Sequence, residues 1–169
     1  MAKKLVLVRH AKAATPDGVP DHDRPLTERG RRDALEVGRW LRSLGLSPQV
    51  ALVSGASRAQ ETFRLLAAEL DEQPEARITE DAYYAGAGEL LELVRALPAA
   101  TVSALLVAHN PGIGMLASLL DDGRSSADGA AGLQGGYPTS AVTVFELSGD
   151  WAELDPGTAR LTAATVARG

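Results

Sequence analysis

The chain has no cysteine among its 169 residues, so disulfide scaffolds, zinc–thiolate sites, iron–sulfur clusters and cysteine nucleophiles are excluded. Histidine is scarce as well: a three-histidine metal site would consume all of His10, His22 and His109. Nor is there an excess of positive charge. The chain carries 17 Lys+Arg against 22 Asp+Glu, a formal net charge of −5, whereas a general nucleic-acid binder needs a basic face to displace counterions from phosphates. The first apolar run, Leu5 to Val8, stops at Arg9 and is far too short for a signal-peptide core or a membrane span. The expectation is a cytoplasmic protein with neither a nucleic-acid nor a membrane partner.

What is present is an ordinary globular composition, 45% hydrophobic and 23% charged, in a length that suits one domain spanning residues 1–169. Short apolar runs alternate with longer amphipathic stretches, the pattern of an α/β domain whose central, mostly parallel sheet carries helices on both faces. Strands are expected at Lys4 to Val8, Gln49 to Ser54, Val102 to Ala108 and Ala141 to Leu147, with a weaker one at Leu161 to Val166. Four helical stripes lie between them. The first is capped by Thr27 and ended by Gly45, the second begins after Ser57, the third is stopped by Pro98, and the fourth opens at Asn110-Pro111. Two loops, Ala14 to Arg24 and Asp121 to Tyr137, are long enough to suggest function or mobility.

In open α/β sheets ligands gather at the carboxyl ends of the strands, where loops and helix N-termini meet. Here the first strand ends in Arg9-His10, the second leads through Gly55-Ala56 to Ser57-Arg58, and the central strand ends in His109-Asn110-Pro111-Gly112. Any one of these has an ordinary structural explanation. Together they put two histidines and two arginines beside two helix N-termini, whose free N–H groups favour an anion. Paired guanidinium forks grip several phosphate oxygens at once. A neutral imidazole is a nucleophile toward phosphorus, and the neighbouring arginines should lower its pKa. A second, protonated imidazole would stabilise the charge developing in the transition state. With that much positive charge, no metal or cofactor is required.

Leu7-Val8-Arg9-His10-Ala11 resembles the Arg-His-Gly signature of the histidine phosphatase superfamily, the phosphoglycerate mutase-like enzymes. Ser57-Arg58-Ala59-Gln60-Glu61-Thr62 resembles the second-arginine motif of that family, and Val107-Ala108-His109-Asn110 its second-histidine motif. The likeness is closest to the small SixA-type phosphohistidine phosphatases, which share segments similar to Asp23-Arg24-Pro25-Leu26-Thr27-Glu28-Arg29-Gly30, His109-Asn110-Pro111-Gly112 and Pro138-Thr139-Ser140-Ala141. It implies a three-layer phosphoglycerate mutase-like fold. It also implies that His10 is the phosphorylated nucleophile, that Arg9 and Arg58 bind the phosphoryl group, and that His109 completes the pocket. Ala11 replaces the broader family's glycine, as the subgroup tolerates.

Larger family members place a proton donor between the second arginine and the second histidine. Only Glu80 and Asp81 stand in a comparable place, with Glu80 the better on spacing to Tyr83; the alternative is that both are solvated carboxylates ahead of a helix. A weak acid would favour P–N bonds and activated esters, since an alkoxide needs a proton to leave and imidazole leaves readily. Lys12 and Asn110 are further candidates for substrate binding. His22, between two aspartates, is weighed as a metal ligand but is more simply a loop histidine. Arg24 is expected to order its loop through Asp23, and Asp121-Asp122 to form a solvated turn. The leading expectation is a metal-independent phosphatase acting on phosphohistidine in a protein. The alternatives are a phosphatase for small phosphate esters and a non-catalytic phosphate-binding module, against which the retained nucleophile argues.

Overall fold

The structure, a computed structural model, describes residues 2–125 and 136–169. Six strands form one sheet: β1 (Lys3–Arg9), β2 (Val50–Ser54), β3 (Glu75–Thr79), β4 (Ser103–Ala108), β5 (Ala141–Leu147) and β6 (Ala159–Val166), in the order β3-β2-β4-β1-β5-β6. The first four are mutually parallel, and β5 and β6 run antiparallel at one edge. Four helices complete the fold: α1 (Glu28–Ser43), α2 (Ser57–Ala68), α3 (Ala87–Arg95) and α4 (Gly112–Leu120).

The alternation of side chains along each strand divides the core in two. Leu5, Leu7, Leu106 and Phe145 face α3 and α4, meeting Leu90, Val94, Ile113 and Leu116. Val6, Val8, Val107, Val142 and Val144 face α1 and α2, meeting Val37, Leu41, Ala59 and Leu66. Helices therefore cover both faces, and the central strands β1 and β4 are buried on both, which is why they read as unbroken apolar runs. Among the described residues no helix is long and apolar enough to cross a membrane.

Thr27 caps α1 as its sequence position suggests, its side chain accepting from the Gly30 N–H at 2.9 Å. Gly30 is required for another reason: a Cβ there would lie 2.2 Å from the Lys12 carbonyl oxygen, which itself accepts from the Thr27 N–H and hydroxyl. This contact binds α1 to the segment that follows the first strand. At α4 the expected cap is shifted by one residue. Pro111 takes the capping position after a cis peptide bond, and Asn110 reaches across it to accept from the Gly114 N–H. The Asp121-Asp122 turn forms, each carboxylate accepting a backbone N–H two residues on. Residues 126–135 of the second long loop lie outside the described residues.

The strand at Glu75–Thr79 is missing from the sequence reading. It is an edge strand whose residues are nearly all exposed, so Glu-Ala-Arg-Ile-Thr carries no buried face and hence no apolar signature.

Candidate active site

Parallel pairing brings the strand ends together. Arg9 lies opposite Ala108 in register, and Val53 opposite Val107, so the residues that follow β1, β2 and β4 emerge at one edge of the sheet. His10 follows β1 directly, His109 follows β4, and Arg58 stands in the first turn of α2. The two imidazole rings have centroids 5.0 Å apart. Both histidines and Arg58 are buried, each less than one-tenth exposed.

His10 is locked by the next peptide: its Nδ1–H donates to the Ala11 carbonyl at 2.8 Å. The ring hydrogen is thereby fixed on Nδ1, and Nε2 keeps a free lone pair. Burial first, opposed by the bond to Ala11 and aided by His109, Arg58 and Arg9, brings the His10 pKa down to about 3. The arginines lower it as the sequence suggests, but desolvation, which the sequence does not show, is the larger cause. His109 is likewise lowered to about 4, first by burial and then by Arg58. Its Nε2 lies 2.7 Å from Ser54 Oγ. That oxygen also accepts from the Ala56 N–H, and its own hydrogen has no other acceptor among the described residues, so the serine donates to Nε2 and the ring hydrogen sits on Nδ1. The protonated second imidazole expected from the sequence is thus replaced, in the free protein, by a neutral N–H donor.

The segments around these residues are tied together through α2. Thr62 donates its hydroxyl to the Arg58 carbonyl at 2.7 Å and accepts from the Ala11 N–H at 3.0 Å, fully buried. Glu61 accepts from the Leu26 N–H and from Arg31, and Gln60 donates to the Gly55 carbonyl. Ser140, at φ +62°, donates its N–H to the carbonyls of Arg9 and His10. Four buried polar atoms have no partner among the described residues: Arg9 Nε, Arg58 Nε, His109 Nδ1 and Ser140 Oγ. Buried donors are almost always satisfied, so three N–H groups on three site residues fit an oxyanion with several acceptor oxygens. Among the described residues no group of three His, Cys, Asp or Glu side chains is arranged to hold a metal ion.

The histidine phosphatase superfamily (branch 1) model matches residues 5–85. The chain is 31% identical to a solved structure named as a candidate SixA phosphohistidine phosphatase of Nakamurella multipartitia, covering 98% of this chain and 96% of that one with a TM-score of 0.84. The chain belongs to the histidine phosphatase superfamily. An uncharacterized protein of Mycobacterium tuberculosis is 36% identical over 163 residues, covering 95% of this chain and all of the relative. A structure of the protein histidine phosphatase SixA complexed with tungstate has the same fold, with a TM-score of 0.76 at 22% identity, covering 96% of each chain.

Beyond Arg9, His10, Arg58 and His109, the chain builds a rim that its sequence shows less plainly. Asp21, which belongs to none of the sequence motifs, is the hub of the rim. Its carbonyl and carboxylate accept from Arg58 at 2.7 and 3.1 Å, and its carboxylate also accepts from Tyr83 and Arg24. The Tyr83 hydroxyl, followed by Arg58, holds that carboxyl down to about 2. Arg24 orders its loop through Asp21, not through Asp23 as expected. The only sequence sign of the hub is the Pro/Asp-rich loop itself.

Glu80 stands at the pocket edge, its carboxylate occupying the space where a Cβ on Gly55 would lie, and it pairs with His22 at 2.9 Å. Asp81 is exposed, its N–H held by Thr79. Lys12 is placed by its backbone, and its exposed ammonium makes no hydrogen bond or ion pair among the described residues. Asn110, expected to touch substrate, is engaged at both ends within the chain. Its amide N–H donates to the Tyr137 carbonyl at 2.7 Å, the same oxygen that receives Arg9 Nη1 at 3.2 Å, so it positions the backbone against which Arg9 rests.

Proposed function

We propose that the protein is a metal-independent phosphohydrolase that passes a phosphoryl group through Nε2 of His10, taking it first from phosphohistidine on proteins. Family membership and the fold neighbours support phosphatase activity. The observation that carries the mechanism is the His10 ring, neutral, locked through Nδ1 to Ala11 and facing His109 in a pocket with two arginines. In the first step the Nε2 lone pair forms the P–N bond as the leaving group departs with the bonding pair. Arg9, Arg58 and the Nδ1–H of His109 take the phosphoryl oxygens, a charge distribution that reaction needs in its transition state. In the second step water attacks phosphorus and His10 is released.

A phosphohistidine substrate is supported by the likeness to the candidate SixA phosphohistidine phosphatase of N. multipartitia. It is also supported by the site's surroundings. A groove of about 590 Å³ lined by Asn110, Pro111, Met115 and Tyr137 flanks it on one side. On the other, a groove of about 560 Å³ runs past Glu80, Asp81 and Tyr84, leaving room for the surface of a carrier protein around an inserted side chain.

The test offers the protein a phosphohistidine-bearing protein, p-nitrophenyl phosphate and a panel of metabolite phosphates, with and without chelator, alongside His10→Ala. Labelled phosphate should be trapped on the wild type and not on His10→Ala, with turnover surviving the chelator. Undiminished turnover by His10→Ala overturns the nucleophile. Turnover of metabolite phosphates that outpaces phosphohistidine overturns the substrate class.

A further inference from the structure

Two formally charged side chains among the described residues are buried: Arg58, in the site, and Asp33, on α1 and 1% exposed. A carboxylate is kept from water only where it is paired and hydrogen-bonded, and phosphoryl transfer to His10 makes no use of this one. Its partners come chiefly from the segment that follows β6. The Gly169 N–H donates to Asp33 Oδ1 at 2.9 Å and Arg168 Nη1 to Oδ2 at 3.3 Å, with Arg29 Nε 3.8 Å away. That segment lies close against α1: a Cβ on Gly169 would stand 2.6 Å from the Arg32 carbonyl oxygen.

The same segment holds a turn that reaches the nucleophile. Arg168 Nη1 also donates to the Thr139 carbonyl at 3.0 Å, and the Ala167 N–H donates to the Ser140 carbonyl at 3.1 Å. Ser140 in turn donates its N–H to the carbonyls of Arg9 and His10, 3.2 Å from each. Its φ of +62° is one that a residue with a Cβ keeps only where its surroundings over-determine it. Its hydroxyl has no partner among the described residues, so what it gives its neighbours is backbone. The peptide between His10 and Ala11 is thus held from two sides, its carbonyl by Ser140 and its N–H by Thr62. The His10 ring is bonded to the carbonyl of the next peptide, so its direction depends on how this one is set.

We propose that Asp33 and Arg168 are positioning residues for the nucleophile. The clasp between them fastens the chain after β6 to α1, and the Thr139-Ser140 turn that it holds fixes the strand end from which Arg9 and His10 project. The inference rests on the phosphoryl transfer to His10 proposed above. In that step Nε2 must meet phosphorus in line with the bond that breaks, and a small misplacement of a reacting atom is costly. Asp33 and Arg168 act through the Ser140 N–H and not on the phosphoryl group.

The test follows single-turnover formation of phospho-His10 from p-nitrophenyl phosphate, together with urea stability and the NMR signal of the His10 ring. It compares wild type with Arg168→Met, Arg168→Lys, Asp33→Asn and the double variant Asp33→Asn/Arg168→Met, with His10→Ala as control, each well below its unfolding midpoint. In Arg168→Met the rate should fall by about tenfold or more while the half-saturation concentration stays within about twofold, the mark of lost alignment rather than lost binding. The His10 Nδ1–H signal should move with it, and Arg168→Lys, which keeps a cation beside the carboxylate, should recover part of the rate. The double variant no longer buries an unpaired charge, so it should regain stability over Arg168→Met without regaining rate. Arg168 is exposed, so Arg168→Met is readable even where Asp33→Asn fails to fold. A rate that recovers with stability, a loss confined to half-saturation, or an unmoved His10 signal overturns the inference. If wild type forms phospho-His10 in those cases, the function proposed above stands without it; if wild type never forms it, that function falls and the inference with it.

Discussion

The floor and the rim of the site are built by different physics. The floor, with Arg9, His10, Ser54, Arg58 and His109, hangs from strand ends and a helix start. Its side chains are held largely by backbone groups and kept from water, so its histidines are neutral by desolvation. The rim, Asp21 to Asp23 with Glu80 to Tyr83, is held mainly by side chains bonding to side chains in partial contact with solvent, and its charges are set by one another. A nucleophile needs the first environment, because a protonated imidazole cannot attack.

The sharpest way to break this contrast is at its centre. His10→Ala should lower turnover by on the order of a thousandfold or more, as loss of a covalent nucleophile does, whereas Asp23→Asn on the rim should leave turnover within about threefold; comparable losses would erase the distinction.

Next comes acid. An unfolded chain protonates both floor histidines below pH 6.5, whereas the folded chain resists until about pH 4 at His109 and about pH 3 at His10. Stability is therefore greatest above 6.5 and falls as pH drops through that value, by about 1.4 kcal/mol per unit for each ring. Together they should cost about 3 kcal/mol between pH 6.5 and pH 5, the unfolded rings being only half protonated at the start. Urea midpoints at the two values check this, and His10→Asn should halve the fall.

A smaller effect is expected at the joint between floor and helix. Thr62→Val leaves the buried Ala11 N–H without its acceptor, at a cost of about 1–3 kcal/mol, measured by urea unfolding. Smallest is Arg42→Ala, which breaks an exposed pair with Asp71 far from both regions and should change stability by less than about 1 kcal/mol.

The same division governs what the sequence reveals. Arg9, His10 and His109 stand at the ends of apolar runs and Arg58 at the start of an amphipathic stripe, so all four could be named from pattern. Thr62 lay within a recognisable motif, but its service to Ala11 spans 51 residues and leaves no local trace. The rim is harder still. Asp21 becomes a hub only when its loop folds onto α2, and Glu80 differs from Asp81 only by the direction in which a short turn presents it. The fold follows the same rule: strands buried on both faces were legible, and the exposed edge strand β3 was not. The protonation state of His109 escaped because it depends on a dry environment and a serine hydrogen, neither of which a one-dimensional pattern encodes.

The clamp of Asp21 on Arg58 bears on how the reaction ends. Inorganic phosphate is a good ligand for two exposed guanidinium groups, and a pocket that gripped it fully would stay occupied after hydrolysis. With one guanidinium already shared with a carboxylate, part of its positive charge is offset before any anion arrives, so a ground-state phosphate should be held less tightly. Weakened affinity for the ground state costs the chemical step nothing if the added transition-state charge still draws on the same arginine. Asp21→Asn should therefore bind inorganic phosphate more tightly while turning over more slowly at high product.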